Sequence, residues 1–157
     1  MTYDTHGTGF DPYKPLEESL KFGDVVNRWL LVRPRQRIVQ LLTGQRVLDV
    51  CCGTGNLTAM LAAAGCAVVG VDSSPTMLTH ARRKLPALEF KQMDAARLPF
   101  DGEFEAAVIG IAIHEMRPQV REQVWESMRR AVRPGGRLVA MDFAVPPRTN
   151  LLSRIMG

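Results

Sequence analysis

From Arg46 onward the chain alternates short apolar runs with segments of helical period. Val47, Leu48 and Val50 suit a strand, Arg46–Val50, covered on both faces. Leu57, Met60, Leu61 and Ala64 then recur at helical spacing, over about Asn56 to Ala64, and Gly65 closes the segment. A second strand is expected over Ala67–Asp72. Ser74 then caps and Pro75 begins a helix that lines Met77, Leu78, Ala81 and Leu85 on one face. Leu88–Gln92 reads as a third strand, Asp101-Gly102 as a turn, and Glu105–Ile113 as a fourth strand. Pro118 opens a helix with Val120, Val124, Met128 and Val132 at a spacing of four. Pro134-Gly135-Gly136 turns the chain into a fifth strand, Arg137–Phe143.

Before this core, residues 1–15 are polar and rich in glycine and proline, and read as a loose arm. Leu16–Leu31 reads as a helix anchored by Leu16, Leu20, Val25, Trp29 and Leu30. Pro34 suits the first position of a second helix that ends near Gly44. The alternation predicts an α/β, doubly wound, mostly parallel sheet with right-handed crossovers. The chain divides into residues 1–44, an N-terminal arm with helices on the substrate side, and residues 45–157, the binding core. A ligand is expected outside the carboxyl ends of the strands, near strand one.

Composition changes this picture little. An apolar share of 46% over 157 residues supports one folded core. The longest apolar-plus-glycine stretch, Ala106–Ile113, is too short to span a bilayer, and the polar N-terminus carries no signal-peptide pattern. Three cysteines, two of them adjacent, form no disulfide framework and fit a reducing cytoplasm. No histidine or second cysteine pair stands at ligand spacing, so no metal is expected. The net charge of +4 permits nucleic acid as a partner without demanding it. Arg82-Arg83-Lys84 and Arg129-Arg130 fall in the last helical turns, where the helix dipole accounts for them.

The chemistry centres on Asp49-Val-Cys-Cys-Gly-Thr-Gly55, a strand end followed by a glycine turn and a helix N-terminus. This is a nucleotide-type corner. Thr58 stands where the dinucleotide fingerprint needs a third glycine. Asp49 would repel a pyrophosphate but suits a ligand with positive charge. S-adenosylmethionine carries both an ammonium and a sulfonium. Asp72 follows Gly55 by seventeen residues, close to the spacing of an acid that accepts from ribose hydroxyls.

Arg46-Val-Leu-Asp-Val-Cys-Cys-Gly-Thr-Gly55 resembles motif I of the class I S-adenosylmethionine-dependent methyltransferases, commonly V-L-D-x-G-C-G-T-G. It departs at Cys51, often glycine there, and at Asn56. Gly70-Val-Asp-Ser-Ser-Pro-Thr-Met77 is similar to motif II, and by that resemblance Ser73 and Met77 flank the ribose and adenine. Gln92-Met-Asp-Ala95 matches the stretch in which an acid, here Asp94, and the next backbone N–H, here Ala95, read the adenine edge. Phe104–Met116 resembles the strand-four motif of small-molecule methyltransferases; Gly110 and Ile111 would border the cofactor. His114 would then stand near the transferred methyl, as a general base or as a loop-orienting group. The Arg133-Pro-Gly-Gly-Arg-Leu138 turn completes the pattern, and Asp142 at the end of strand five ranks below His114.

The resemblance implies methyl transfer to a small molecule by in-line displacement, and is nearest to the ubiquinone/menaquinone and phospholipid group. No Asn- or Asp-Pro-Pro-Tyr follows strand four, which disfavours a nucleic-acid acceptor. A nucleic-acid or protein methyltransferase and a non-catalytic S-adenosylmethionine-binding protein are the alternatives. The family's sheet has seven strands, whereas Pro146-Pro147 soon follows strand five here and Leu151, Leu152, Ile155 and Met156 begin an amphipathic segment. The C-terminal antiparallel strands are therefore expected to be missing. Strand five would be an open edge, and homodimers would form through it or through the C-terminal segment.

Overall fold

The computed structural model describes Lys14 and residues 31–143. The expected N-terminal arm, the helix over Leu16–Leu31 and the C-terminal amphipathic segment lie outside the described residues, apart from Lys14 and Leu31. Helix α1 spans Val32–Leu42, and strand β1 spans Arg46–Val50. Then come α2 (Asn56–Ala63), β2 (Ala67–Asp72), α3 (Pro75–Lys84), β3 (Glu89–Gln92), β4 (Phe104–Gly110), α4 (Pro118–Ala131) and β5 (Val132–Met141). Single 3₁₀ turns occupy Ala95–Arg97 and Ile113–Glu115. The five strands are all parallel, in the order β3-β2-β1-β4-β5.

The order reverses direction at β1, which places a crevice at its carboxyl end. The central strands are apolar because both faces are covered. On one face Val47, Ala106 and Val108 pack under Ile38 and Leu42 of α1 and Leu57 and Leu61 of α2. On the other, Leu48, Val50, Ala107 and Ile109 meet Val124 and Met128 of α4. Leu48 and Met128 are wholly buried; truncating such a side chain to alanine costs about 2–5 kcal/mol.

Local chemistry sets the element ends. The Ser74 hydroxyl accepts from the Met77 N–H at 3.1 Å, with Pro75 opening α3 as the sequence predicts. Gly44 and Gly65 take positive φ just beyond α1 and α2. Several boundaries differ from expectation. Helix α1 begins at Val32, so Pro34 occupies its third position rather than its first. Strand β3 starts at Glu89, not Leu88.

Strand β4 stops at Gly110 rather than Ile113, because Ile111 has φ +55° and cannot continue a strand. Val132 leaves the helix, despite its spacing of four, and pairs with Phe104. Strand β5 then carries Pro134–Gly136 as an irregular step before Arg137 pairs with Ala106, and it ends at Met141 rather than Phe143. A Cβ at Gly136 would collide with the Val132 side chain and the Glu105 carbonyl oxygen, so this turn requires glycine.

Candidate functional site

The site is assembled at the carboxyl ends of β1, β2 and β4. Just beyond β1, Cys51 takes φ +56°, Gly53 +55° and Gly55 +77°. A side chain at Cys51 is therefore held in the left-handed region, at a cost of order 1–3 kcal/mol. This is the physical reason a glycine is favoured at that position. The Cys52 N–H donates to Val71 O at 3.0 Å, and the Gly55 N–H donates back to Cys52 O at 2.9 Å, closing the turn.

Asp72 locks the turn from β2. One carboxylate oxygen accepts from the Gly53 N–H at 2.8 Å, and the other accepts from the Ser74 N–H at 2.9 Å. The same side chain thus fixes the glycine turn and the entry to α3. Phe90 supports the turn from below: a Cβ at Gly70 would lie 2.7 Å from its ring, and one at Gly55 would lie 3.0 Å away. The two glycines make room for that ring.

Asp49 is 2% exposed. Burial pushes its carboxyl up to about 7. A hydrogen bond from the Thr58 hydroxyl, 2.6 Å long, and the positive charge of Arg35 oppose that rise, while Asp72 adds to it. Arg35, on α1, is itself 7% exposed. Burial likewise raises the Cys51 and Cys52 thiols well above the ordinary range, so neither is a thiolate near neutral pH. Among the described residues no group of His, Cys, Asp and Glu could hold a metal.

Asp94 follows β3 and caps the first 3₁₀ turn, accepting from the Ala96 N–H at 2.9 Å; Ala95 is the first residue of that turn. The Met93 N–H donates to Asp72 O at 3.0 Å, which brings this loop beside the β2 end. Ser73 is exposed, and its carbonyl accepts from the Gln92 amide at 3.2 Å; Met77 is half-buried on the first turn of α3.

At the far side, Gly110 ends β4, and the Ile111 N–H donates to Met141 O at 2.7 Å. His114 lies in the following 3₁₀ turn. Asp142, one residue past β5, grips it twice: Oδ2 accepts from the His114 N–H at 2.9 Å, and Oδ1 lies 2.7 Å from ring Nδ1. Glu115 Oε1 is 3.7 Å from ring Nε2, and the Phe143 ring meets the imidazole edge-on at 5.3 Å between centroids. Burial opposes ionisation of Asp142, but hydrogen bonds from the Phe143 N–H, the His114 N–H and the His114 ring hold its carboxyl below the usual range.

The expected site residues therefore fall into two groups. Cys51, Gly53, Gly55, Asp72 and Ser73 form one continuous hydrogen-bonded or covalent unit, with Asp49 just before it, Met77 on the first turn of α3 and Asp94 and Ala95 alongside. Gly110, Ile111 and His114 form the second, on the other side of β1. Thr58 stands where the dinucleotide fingerprint needs a glycine, yet its hydroxyl holds Asp49. Phe90 under the glycine turn, Arg35 beside Asp49 and the pairing of Asp142 with His114 are visible only in the structure. Thr58 carried a signal, a polar residue on the buried face of an apolar helix. Arg35 carried none.

A doubly wound parallel sheet with a glycine turn after β1 and an acid ending β2 defines a nucleotide-binding protein of the Rossmann-like class. The profile of the family described as "Methyltransferase domain" matches residues 47–136, more than half of the chain. The chain belongs to that family. It is 44% identical over 105 residues to a demethylmenaquinone methyltransferase of Beutenbergia cavernae, covering 66% of this chain and 43% of that one. A demethylmenaquinone methyltransferase of Thermus thermophilus is 39% identical over 139 residues, covering 80% of this chain and 62% of that one. A solved S-adenosylmethionine-dependent methyltransferase from Mesorhizobium loti shares 26% identity, with a TM-score of 0.57 over 63% of this chain and 47% of that one. The chain spans about half the length of the curated relatives it matches.

Proposed function

We propose that this chain binds S-adenosylmethionine and transfers its methyl group to a small molecule. The observation that carries the reading is the grouping of Asp49 and Asp72 around one glycine turn, with Asp94 in the adjoining loop. The donor set fits the ligand. Asp49, buried and held by Thr58, suits an ammonium. Asp72, a carboxylate that only accepts, stands at the end of β2 where ribose hydroxyls could donate to it, and Asp94 with the Ala95 N–H suits an adenine edge. Cys51, Gly53 and Gly55 would let backbone approach the ligand closely, Ser73 and Met77 would flank ribose and adenine, and Gly110 and Ile111 would border the methionyl end.

The bound ligand would supply a methyl group already activated by a sulfonium. The chain would align the acceptor for in-line displacement and exclude water. Two relatives carry the name demethylmenaquinone methyltransferase, so a naphthoquinol is the first acceptor to try. We assign the chemistry to the cytoplasm; among the described residues no helix is long and apolar enough to cross a membrane.

Calorimetry with S-adenosylmethionine, S-adenosylhomocysteine and NAD tests the cofactor. Micromolar binding of the first two is expected, and binding of NAD alone would overturn the reading. The segment before β1 is proposed as a lid over the acceptor. Deleting residues 1–30 should then reduce turnover far more than cofactor affinity, and equal loss of both counts against a lid. Pairing of two chains through the β5 edge is a further proposal. Sedimentation that finds only monomer at high concentration would remove it.

A further inference from the structure

We infer that His114 and Asp142 work as one unit, in which Asp142 holds the imidazole with Nδ1 protonated and leaves Nε2 bare to take a proton from the acceptor. The inference rests on the methyltransferase reading and deepens it. The acceptor is then a hydroxyl or an acidic carbon, a group that must lose a proton when methylated, rather than a tertiary amine or a thioether.

The geometry is that of a fixed base. Oδ1 of Asp142 lies 2.7 Å from Nδ1, and a carboxylate can only accept, so Nδ1 carries the hydrogen. The neutral ring then has its lone pair on Nε2. The second carboxylate oxygen accepts from the His114 backbone N–H at 2.9 Å, so one carboxylate holds both the backbone and the ring of the residue. Phe143 closes one side of the imidazole, edge-on. Among the described residues, the charged groups that meet the ring are Asp142 at Nδ1 and Glu115, whose Oε1 lies 3.7 Å from Nε2.

His114 stands just beyond the end of β4, beside the mouth of β1, where Val50 pairs with Ile109. The step balances: the acceptor's X–H bond gives its electrons to the new X–CH₃ bond, the S–CH₃ pair returns to sulfur, and the proton passes to Nε2 and later to solvent. Asp142 touches no reacting atom and is a positioning residue.

Long-range ¹H–¹⁵N spectra of the chain labelled at histidine nitrogens test the placement without any acceptor; His114→Gln identifies the signal. The neutral His114 ring should carry its hydrogen on Nδ1, and Asp142→Ala should return it toward the Nε2-protonated form. An Nε2-protonated ring in the unaltered chain overturns the proposal.

For turnover the probes are 1,4-naphthohydroquinone, which has protons to lose, and a tertiary amine, which has none. His114→Ala should slow transfer to the hydroquinone about 100-fold, with partial rescue by added imidazole, and Asp142→Ala about 10-fold or more. Affinity for S-adenosylhomocysteine should stay within about twofold. Undiminished rates, affinity falling in step with rate, or preferential methylation of the tertiary amine would each overturn it. Failure of the unaltered chain to bind S-adenosylhomocysteine would instead defeat the methyltransferase reading, and the tautomer result would stand apart from it.

Discussion

The two sides of β1 are built on opposite terms. On the β2 side, the acids are already engaged within the protein: Asp72 by two backbone amides, Asp94 by one, Asp49 by Thr58. On the β4 side, the histidine is about one-third exposed, its Nδ1 is gripped by Asp142 at 2.7 Å, and its Nε2 lies 3.7 Å from Glu115. The first side is a pre-formed mould, in which ordering costs are met by the fold before a ligand arrives. The second presents one oriented group to solvent. Rigidity is thus concentrated on the β2 side, which we propose reads the cofactor, whereas the β4 side orients one imidazole.

The largest break of this contrast comes from Asp72→Ala. It releases the Gly53 and Ser74 amides and removes the expected ribose acceptor. Affinity for S-adenosylhomocysteine should fall about 10²–10³-fold, at about 1.5–3 kcal/mol per charged hydrogen bond. An affinity within threefold of the original, measured by calorimetry, would show that the turn stands without its lock.

Asp49→Asn comes next and acts in two directions. Burial pushes the folded carboxyl up to about 7, well above the ordinary carboxylate range. The folded state therefore binds the extra proton, and the carboxylate's unfavourable contribution is absent below about pH 4, grows to pH 7 and is constant beyond. Replacing the carboxylate should raise apo stability at pH 8 by about 2 kcal/mol while weakening the cationic ligand about tenfold or more. In the unaltered chain, ligand affinity should fall as pH drops through 7, because binding must then expel a proton. Calorimetry in two buffers of different ionisation enthalpy reads that proton directly; no release at pH 6 would remove the assignment of Asp49 to the ammonium.

Gly53→Ala is the smallest test. Nothing lies within 4 Å of the added Cβ, so only the left-handed φ of +55° resists it. Chemical denaturation should show a loss of about 1 kcal/mol. A loss several times larger would mean that the turn is strained beyond its dihedral.

The fold was readable because each central strand is an apolar run and each turn carries its own glycine or proline. Strands β1 and β2 begin and end where the pattern of Arg46–Val50 and Ala67–Asp72 places them. The misread boundaries are those set by partners distant in sequence. Val132 keeps helical spacing yet is claimed by Phe104 of β4. Ile111 looks like any strand residue, and only the Met141 carbonyl it reaches shows why the backbone turns. The same holds in the site. Asp49, Asp72 and the glycines sit in one local motif, but Asp142 meets His114 across 28 residues, and no periodicity encodes that pairing.

The order of strands has a consequence for how the chain is made. Strand β1 is central, with β2 on one side and β4 on the other. As synthesis proceeds, the glycine turn, Asp72 and Asp94 have all emerged while one edge of β1 still waits for Phe104–Gly110 to cover it. The clamp on His114 is later still, since Asp142 follows the last described strand. A nascent chain thus completes the side proposed for the nucleotide before the side proposed to take a proton. For that interval a ligand bound to the half already made would act as a folding aid to it.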